Sequence, residues 1–240
     1  FFRTILEPNL RETENTAADT TIVEISSVSR RFGSRIVLKN IDLTVPRGTG
    51  VCVCGVNGAG KSTLLRIVAG LLKPAHSTIK ICGYDVAEEP EKTRSELGLI
   101  SHKSILYPEL TTSENLLFFA RLYGVKDPLR RVQELLDDVG LSSYAYDRTN
   151  VLSRGMLQRL SIARAMVPRP SVLLADEPFT GLDLEAGRHL ISVLTKFRAD
   201  GGTLVMTTHD TSMALKCCDR VVVLDNHTFI FDAVTSQIDA

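Results

Sequence analysis

The sequence predicts an α/β fold in which a mainly helical segment interrupts the alternation of strands and helices. Short apolar runs of strand length lead into glycine-rich or polar segments at residues 50–54, 172–175 and 204–207. Between about 104 and 167, apolar residues recur instead with helical periodicity. The chain has 240 residues, of which 44% are hydrophobic, and it is therefore long enough to bury a sizeable core.

The predicted domain follows a polar segment. Residues 1–20 are expected to form a flexible N-terminal segment, because residues 8–20 are polar and carry no apolar pattern. The apolar start at residues 1–6 is shorter than the apolar region of a secretion signal. The folded domain is predicted to span residues 21–240, with a helical subdomain at about 104–167.

Composition argues against several classes of protein. Lys+Arg and Asp+Glu each number 28, so the formal net charge is zero. This balance argues against a protein that binds nucleic acid through broad electrostatic attraction. No apolar run approaches the length that would cross a bilayer. The five cysteines form no CxxC pair, and their odd number favours reduced thiols of the cytosol.

The sequence predicts strands and helices on both sides of the helical segment. Before that segment, a helix is predicted at 62–72 and strands are predicted at 21–26, 36–45, 50–54, 78–82 and 97–101. Within the segment, helices are predicted at 113–123, 128–139 and 153–166. After it, helices alternate with strands at 172–175, 204–207 and 221–224. Cys52 and Cys54 are expected to face the same side of one strand as small core residues.

A glycine-rich loop between a predicted strand and a predicted helix has the spacing G-x-x-x-x-G-K-S at residues 55–62. Glycines at its first, fourth and sixth positions let the backbone curl so that successive N–H groups point at a polyphosphate. Lys61 would place a positive charge at the β- and γ-phosphates, and the Ser62 hydroxyl would bind Mg²⁺. A glycine turn without a ligand is the alternative, which the flanking strand and helix disfavour.

Two carboxylates end the apolar run at residues 171–177. Carboxylates at the edge of a core are unfavourable without a partner, and a metal ion would supply one. Asp176 is expected to hold Mg²⁺, and Glu177 is expected to orient or deprotonate an attacking water. The alternative is a solvated strand end followed by a proline turn.

Two further positions could contact phosphate. His209 follows the predicted strand at 204–207 and could hydrogen-bond a γ-phosphate beside Glu177. Ser153 could cap a helix whose N-terminus offers N–H groups to an anion. A capping or core histidine and an ordinary helix cap are the respective alternatives.

Together these motifs resemble the ATP-binding subunit of ABC transporters over about residues 22–225. Residues 55–63 resemble the Walker A loop, 152–156 (LSRGM) the LSGGQ signature, and 180–183 the D-loop. Asp176 and Glu177 match Walker B and its catalytic glutamate. The resemblance implies a P-loop NTPase fold of the ABC type, with an antiparallel β subdomain and a helical signature subdomain.

The resemblance also implies a set of site residues. The catalytic group comprises Glu177, His209 and His102, and the metal ligands are Ser62 and Asp176. His102 lies where the family usually has the Q-loop glutamine, and Phe32 matches the aromatic residue that stacks on adenine. The ATP-binding residues implied are Phe32, Gly55, Asn57, Gly58, Ala59, Gly60, Lys61, Ser62, Thr63, Ser153, Gly155 and Asp183.

The partners implied are a second ATP-binding subunit and integral membrane subunits. In a head-to-tail dimer, two ATP molecules would lie between the Walker A loop of one copy and the signature of the other. The resemblance implies an ATP-hydrolysing transport subunit, peripheral on the cytoplasmic face of the cell membrane, that uses ATP and Mg²⁺ and binds no nucleic acid.

Two departures from the family pattern suggest a subtype. His102 replaces the usual glutamine, and Arg154 and Met156 stand where Gly and Gln are commoner. This combination resembles the ATP-binding subunit of the haem exporter for cytochrome c maturation, and membrane subunits of that type are the partners it implies. The alternatives are the ATPase of a drug, lipid or polysaccharide exporter, or a soluble iron–sulphur assembly ATPase.

Overall fold

The computed structural model describes residues 21–75, 77–101 and 104–238. The expected flexible segment at 1–20 lies outside the described residues. Ten strands occur in the described part: β1 (Thr21–Phe32), β2 (Arg35–Pro46), β3 (Gly50–Cys54), β4 (Thr78–Ile81), β5 (Tyr84–Asp85), β6 (Leu97–Ile100), β7 (Val172–Asp176), β8 (Thr203–Thr208), β9 (Arg220–Asp225) and β10 (Thr228–Val234).

The α-helices of the described residues separate the parallel strands and form the interrupting segment. They are α1 (Lys61–Val68), α2 (Pro90–Glu96), α3 (Thr112–Leu122), α4 (Pro128–Asp138), α5 (Arg154–Ala165), α6 (Leu184–Ala199) and α7 (Thr211–Cys217). Helices α3 to α5 lie within the predicted helical subdomain and share one hydrophobic cluster. The predicted α/β class is confirmed.

The strands form two sheets. An antiparallel sheet has the order β2-β1-β4-β5, and a larger sheet has the order β10-β9-β3-β8-β7-β6. Strands β9, β3, β8, β7 and β6 are parallel, and β10 is an antiparallel edge strand. The central strands β3, β7 and β8 are buried along their whole length, which explains their continuous apolar runs.

Some predicted bounds differ from the structure for local reasons. Strand β1 runs beyond the predicted end at residue 26, because register shifts after Ile25 break its alternating pattern. Helix α1 ends at Val68 instead of 72, before Gly70 in a left-handed conformation. Strands β5 and β10 and helix α2 were missed, since they are short or half exposed.

The hydrophobic core lies in three clusters. One fills the space between the antiparallel sheet, α1 and one face of the larger sheet. A second covers the opposite face, where side chains of α6 and α7 pack. Cys52 and Cys54 both belong to this second face, with their sulphurs 3.6 Å apart, and so the expected common orientation is confirmed. All five cysteines are free thiols.

The larger sheet places three chain segments at one edge. Strands β3, β7 and β8 are parallel neighbours, so their carboxyl ends meet there. The glycine-rich loop follows β3, Glu177 follows β7, and His209 follows β8. Ligands of open α/β sheets bind at this edge, which makes it the candidate site.

Candidate functional site

A cleft of about 520 Å³ opens at the carboxyl edge of the larger sheet. It joins the glycine-rich loop to the ends of β7 and β8. Its lining comprises Arg35, Val37, Asn57, Gly58, Gly60, Lys61, Ser62, Thr63, Arg66, Asp176, Glu177, Thr180 and His209. The structure therefore brings six of the twelve predicted ATP-binding residues into one concave surface with Asp176, Glu177 and His209.

The loop that leads into α1 depends on glycine at two positions. Gly60 precedes the first helical residue with a φ of 113°, a conformation that residues with a Cβ rarely adopt. A Cβ at Gly55 would clash with the carbonyl oxygen of Leu224 in β9. The glycines therefore let the loop lie tight against the sheet, with the first amides of α1 at the cleft.

Lys61 lies buried at the base of the cleft, with a relative exposure of 5%. Its Nζ donates to the carbonyl oxygens of Gly55 at 2.8 Å and Val56 at 3.2 Å. It also lies 3.3 Å from Oε1 of Glu177. These partners hold the Lys61 ammonium group beside the loop amides, where it could bind a phosphate.

Ser62 and Asp176 meet at the expected metal position. The Ser62 hydroxyl donates to Oδ1 of Asp176 at 2.8 Å, and the Thr207 hydroxyl donates to the same oxygen at 2.8 Å. A hydroxyl and a carboxylate beside a phosphate site are oxygen ligands suited to Mg²⁺. In the described part of the chain, no group of three or more His, Cys, Asp or Glu could hold a metal. Mg²⁺ typically completes its shell with phosphate and water, so the residues fit the ion.

Glu177 is held in an unusual backbone conformation. Its φ is +49°, and its N–H donates to the carbonyl and the hydroxyl of Thr207, each at 3.1 Å. Its Oε2 lies 2.8 Å from Nδ1 of His209 and accepts from the His209 N–H at 3.4 Å. Strained backbone of this kind persists where neighbouring groups enforce it, often at functional sites. The arrangement can orient a carboxylate toward a water in the cleft.

Three predicted residues at the starts of α5 and α6 lie away from this cleft. The Ser153 hydroxyl caps α5 by accepting from the N–H of Met156 at 3.3 Å, and Asp183 caps α6 by accepting from Ala186 at 2.8 Å. Gly155 faces α6, since a Cβ on it would lie 3.3 Å from that of Ala186. Within one chain, the signature residues therefore do not line the cleft that contains Lys61.

The predicted adenine contact of Phe32 and the predicted role of His102 are not tested by the cleft. Phe32 ends β1 with 46% of its surface exposed, and the guanidinium carbon of Arg30 lies 4.7 Å from the ring centroid. The ring is outside the cleft lining, and its contact with adenine stays a prediction. His102 lies outside the described residues, so its role also stays a prediction. Ala59 packs against the core next to the cleft.

Sequence reasoning missed several residues of the site. Arg35, Val37 and Arg66 line the cleft without belonging to any recognised motif. Thr207 pairs with Asp176 in the register of β7 and β8, which brings its hydroxyl to both carboxylate residues. The sequence places Thr207 two residues before His209, which could have indicated that it lies near the site. Its contact with Asp176, however, depends on the pairing of β7 with β8.

Titratable groups of β3 and of the segment after β8 have shifted pKa values with structural causes. The pKa of the Cys52 thiol is raised, first by its hydrogen bond with Cys218. That of Cys54 is lowered, first by its hydrogen bond with Cys52. The pKa of Asp210 is lowered, first by the hydrogen bond from the Ser212 hydroxyl. An ionised Asp210 caps α7 and so steadies the backbone that follows His209.

Comparison with known proteins identifies the family. A family model described as ABC transporter matches residues 38–180, more than half of the chain. The chain belongs to the ABC transporter family. It is an ABC ATPase, in which ATP hydrolysis is coupled to transport.

The curated relatives of this ABC subunit are named for export, resistance or transport. It is 37% identical over 227 residues to the Nod factor export ATP-binding protein I of Cupriavidus pinatubonensis, covering 91% of this chain and 70% of the relative. It is 29% identical to the linearmycin resistance ATP-binding protein LnrL of Bacillus subtilis, covering 87% and 68%. It is 30% identical to the ABC transporter ATP-binding protein NatA of the same species, covering 88% of each chain.

Solved structures agree with the ABC fold. An ATP-binding subunit of an ABC transporter superposes with a TM-score of 0.82 at 32% identity, covering 89% of this chain and 90% of the other. A dimeric ATP-binding cassette in a post-hydrolysis state, bound to ADP and Pi, superposes with a TM-score of 0.80 at 29% identity, covering 89% and 99%. Among the described residues of the ABC subunit, no helix combines the length and apolar character needed to cross a membrane.

Proposed function

We propose that this ABC subunit hydrolyses ATP to power the export of a drug, lipid or polysaccharide by separate membrane subunits. The observation that carries the proposal is the convergence of Lys61, Asp176 and Glu177 on one cleft at the carboxyl edge of the sheet. The names of its relatives, which refer to Nod factor export and linearmycin resistance, support the direction of transport.

The cleft would hold the polyphosphate of ATP. The loop amides and Lys61 would bind the β- and γ-phosphates, with Asn57 and Thr63 at the sides of the same cleft. Ser62 and Asp176 would hold Mg²⁺, which neutralises charge on the phosphates. Lys61 already lies among carbonyl oxygens, so its ammonium exchanges those partners for phosphate oxygens without leaving the loop.

Glu177 would act as the base that orients or deprotonates the attacking water. Its carboxylate has one oxygen toward Lys61 and the other toward His209. Lys61 would move to the phosphates when ATP binds, which frees one oxygen of Glu177 for water. His209 would contact the γ-phosphate and report its presence to Glu177 across the 2.8 Å contact.

A second copy would complete the site. Ser153 and Gly155 lie outside the cleft of their own chain, as expected if they contact a nucleotide held by a partner. The N-terminus of α5 would offer its N–H groups to the γ-phosphate in a head-to-tail dimer. Asp183 at the start of α6 and Phe32 at the end of β1 complete the proposed set of nucleotide contacts.

An apolar surface on the helical segment supports docking to membrane subunits. Phe118 and Leu122 of α3 are 43% and 69% exposed, and with Leu110 they line a surface groove of about 470 Å³. Exposed apolar patches of this kind mark interaction sites. We place the subunit at the cytoplasmic face of the membrane, attached through this surface and the segment that contains His102.

The haem-export expectation rested on His102 and on residues 152–156. Two of the relatives reported above are named for Nod factor export and linearmycin resistance, and these names favour the exporter alternative. We therefore assign the subunit to the drug, lipid or polysaccharide group.

The role of Glu177 is tested with the Glu177→Gln variant. We expect it to bind ATP with unchanged affinity, to hydrolyse it about 10²- to 10⁴-fold more slowly, and to accumulate as a closed dimer with ATP. ATPase assays and analytical ultracentrifugation measure these effects. Glu91→Gln, an exposed carboxylate in α2, is the matched control and should behave as the wild type. Hydrolysis at the parental rate by Glu177→Gln would refute the assignment.

The partner class is tested by co-purification from solubilised membranes of the native host, with mass spectrometry of the bound proteins. Recovery of an exporter permease is the expected result. Recovery of cytochrome c maturation subunits would instead support the hypothesis that the subunit serves a haem exporter. If only soluble proteins were recovered, the proposed attachment to membrane subunits would be wrong.

A further inference from the structure

Arg154 makes an unexpected contact at the start of the signature helix. It is the first residue of α5, between Ser153 and Gly155. Its Nη2 donates to the carbonyl oxygen of Thr180 at 3.3 Å. A Cβ at Gly181 would clash with three atoms of the Arg154 guanidinium. The flat guanidinium therefore occupies the space that a side chain at 181 would need.

A second side chain of the same helix face holds the same loop. Gln158, one turn after Arg154, donates to the carbonyl oxygen of Pro178 at 3.0 Å. Residues four apart lie on one face of a helix. Arg154 and Gln158 therefore both hydrogen-bond the loop at residues 178–181. These residues lead directly from Glu177 to the start of α6.

The loop at residues 178–181 also contributes to the lining of the proposed nucleotide cleft. Thr180 lines that cleft together with Glu177 and His209. The N–H of Thr180 donates to the carbonyl oxygen of Glu177 at 3.2 Å. A displacement of Thr180 therefore acts on the backbone of Glu177, whose φ of +49° is maintained only by its surroundings.

We propose that Arg154 is a positioning residue that couples the signature helix to Glu177 of the same chain. A movement of α5 would be transmitted through the Arg154 guanidinium to Thr180 and Gly181, and from there to Glu177. If Ser153 and Gly155 contact the partner's nucleotide, the state of one ATP site thereby sets the geometry of the other. The inference rests on the proposed function of Glu177 and adds a path by which the two sites communicate.

The chemistry at position 154 requires arginine. A cation at a helix N-terminus is disfavoured by the helix dipole, so its presence calls for a compensating contact. The carbonyl of Thr180 supplies one, and the guanidinium occupies the position where a Cβ at Gly181 would lie. Lysine would keep the charge but has a compact ammonium that cannot cover the glycine in this way. Arg154 is exposed, and its loss should therefore affect geometry more than stability.

The coupling is tested by a double-mutant cycle of Arg154→Ala and Gly181→Ala in the full chain, purified from its host with the subunits that accompany it. We expect Arg154→Ala to lower kcat for ATP hydrolysis about fivefold and Gly181→Ala about tenfold, with KM for ATP changed less than about twofold. In the double variant the clash with Arg154 is absent, but the strain of alanine at a φ of +72° remains. We therefore expect a loss of kcat clearly smaller than the product of the two single losses, which is about fiftyfold.

Two further variants separate positioning from charge. Arg159→Ala removes another guanidinium of α5, one that donates to the carbonyls of Val139 and Gly140 away from the loop. It should leave kcat unchanged. Arg154→Lys keeps the charge and should behave as Arg154→Ala.

Three results would overturn the proposal: an unchanged kcat in Arg154→Ala, multiplicative losses in the double variant, or full activity in Arg154→Lys. Multiplicative losses would indicate that Arg154 acts on the partner's phosphate without involving Gly181. The cycle does not depend on which group is the base, because it measures coupling between two other residues. A failure of Glu177→Gln to slow hydrolysis is therefore distinguishable from a failure of this inference.

Discussion

At the scale of single residues, Asp176 and Glu177 share an unpredicted partner. The Thr207 hydroxyl donates to Oδ1 of Asp176 and accepts from the N–H of Glu177. The side chain of Thr207 is fully buried, so both bonds are shielded from water. One hydroxyl therefore orients the proposed metal ligand and holds the backbone of the proposed base.

We expect Thr207→Val, which keeps the shape but removes the hydroxyl, to lower the free energy of unfolding by about 1–3 kcal/mol. It should also lower kcat, since Asp176 and Glu177 lose their common support. Urea denaturation and ATPase assays measure both effects. Thr203→Val is the matched control, because Thr203 accepts from the N–H of Gly48 at the other end of β8. An equal loss of kcat in both variants would contradict a specific role for Thr207.

Gly55 of the glycine-rich loop is equally constrained. In Gly55→Ala, the new Cβ would clash with the carbonyl oxygen of Leu224. We expect a loss of about 1–3 kcal/mol in the free energy of unfolding, as for other overpacked sites, and a clear loss of ATP affinity. Thermal denaturation and titration with a fluorescent ATP analogue measure these changes.

Gly187→Ala in α6 is the control for this prediction, because a Cβ there meets no atom within 4 Å. It should raise stability by about 0.5–1 kcal/mol, as alanine does inside helices. Wild-type nucleotide affinity in Gly55→Ala would show that the loop accommodates a side chain.

At the scale of elements, α3 is tied to the segment before it by one buried amide. Oδ1 of Asn115 accepts from the N–H of Tyr107 at 2.8 Å, and Nδ2 donates to the carbonyl of Tyr107 at 3.0 Å. The same Nδ2 lies within 3.3 Å of the carbonyls of Leu110 and Thr111. The side chain thus fixes the path of the chain between the sheet and the helical segment.

We expect Asn115→Leu to lower the free energy of unfolding by about 3 kcal/mol, because it leaves several buried polar groups unpaired. The amide of Tyr107 should then exchange its hydrogen faster, which mass spectrometry of exchanged peptides can measure. Gln133→Leu, an exposed amide of α4, should change stability by less than about 0.5 kcal/mol. Unchanged exchange at Tyr107 would show that other contacts hold this segment.

At the scale of the whole molecule, Arg220 joins the two sheets. Its Nη1 donates to the carbonyl of Thr44 in β2 at 2.7 Å, and its Nε donates to Asp232 in β10 at 2.6 Å. The N–H of Lys39 in β2 also donates to the carbonyl of His227 at 2.8 Å. The antiparallel sheet is therefore attached to the edge hairpin of the larger sheet by hydrogen bonds as well as by packing.

We expect Arg220→Ala to lower the free energy of unfolding by about 1–2 kcal/mol, since it leaves the Thr44 carbonyl without its donor. Guanidinium denaturation followed by circular dichroism measures this change. Arg130→Ala removes an exposed helical ion pair with Glu134 and should cost less than about 0.5 kcal/mol. Equal effects of the two variants would mean that Arg220 contributes no more than a surface pair.

The sequence alone predicted the features that depend on local order. The spacing of residues 55–62, the apolar runs of the central strands and the cap of α5 each lie within a few neighbouring residues. The fold class, the nucleotide-binding loop and the family follow from such patterns. Half-exposed edge elements such as β10 have no comparable local signal, because their burial depends on what packs against them.

Tertiary structure decided which distant residues meet. The register of β7 and β8 brings Thr207 to Asp176, and the packing of α5 against the loop after β7 brings Arg154 to Gly181. The antiparallel sheet places Arg35 and Val37 at the cleft. Local periodicity indicates the type of an element and its buried face, whereas contacts between elements arise only when the whole core packs. The contacts that orient Glu177 therefore became visible only in the folded chain.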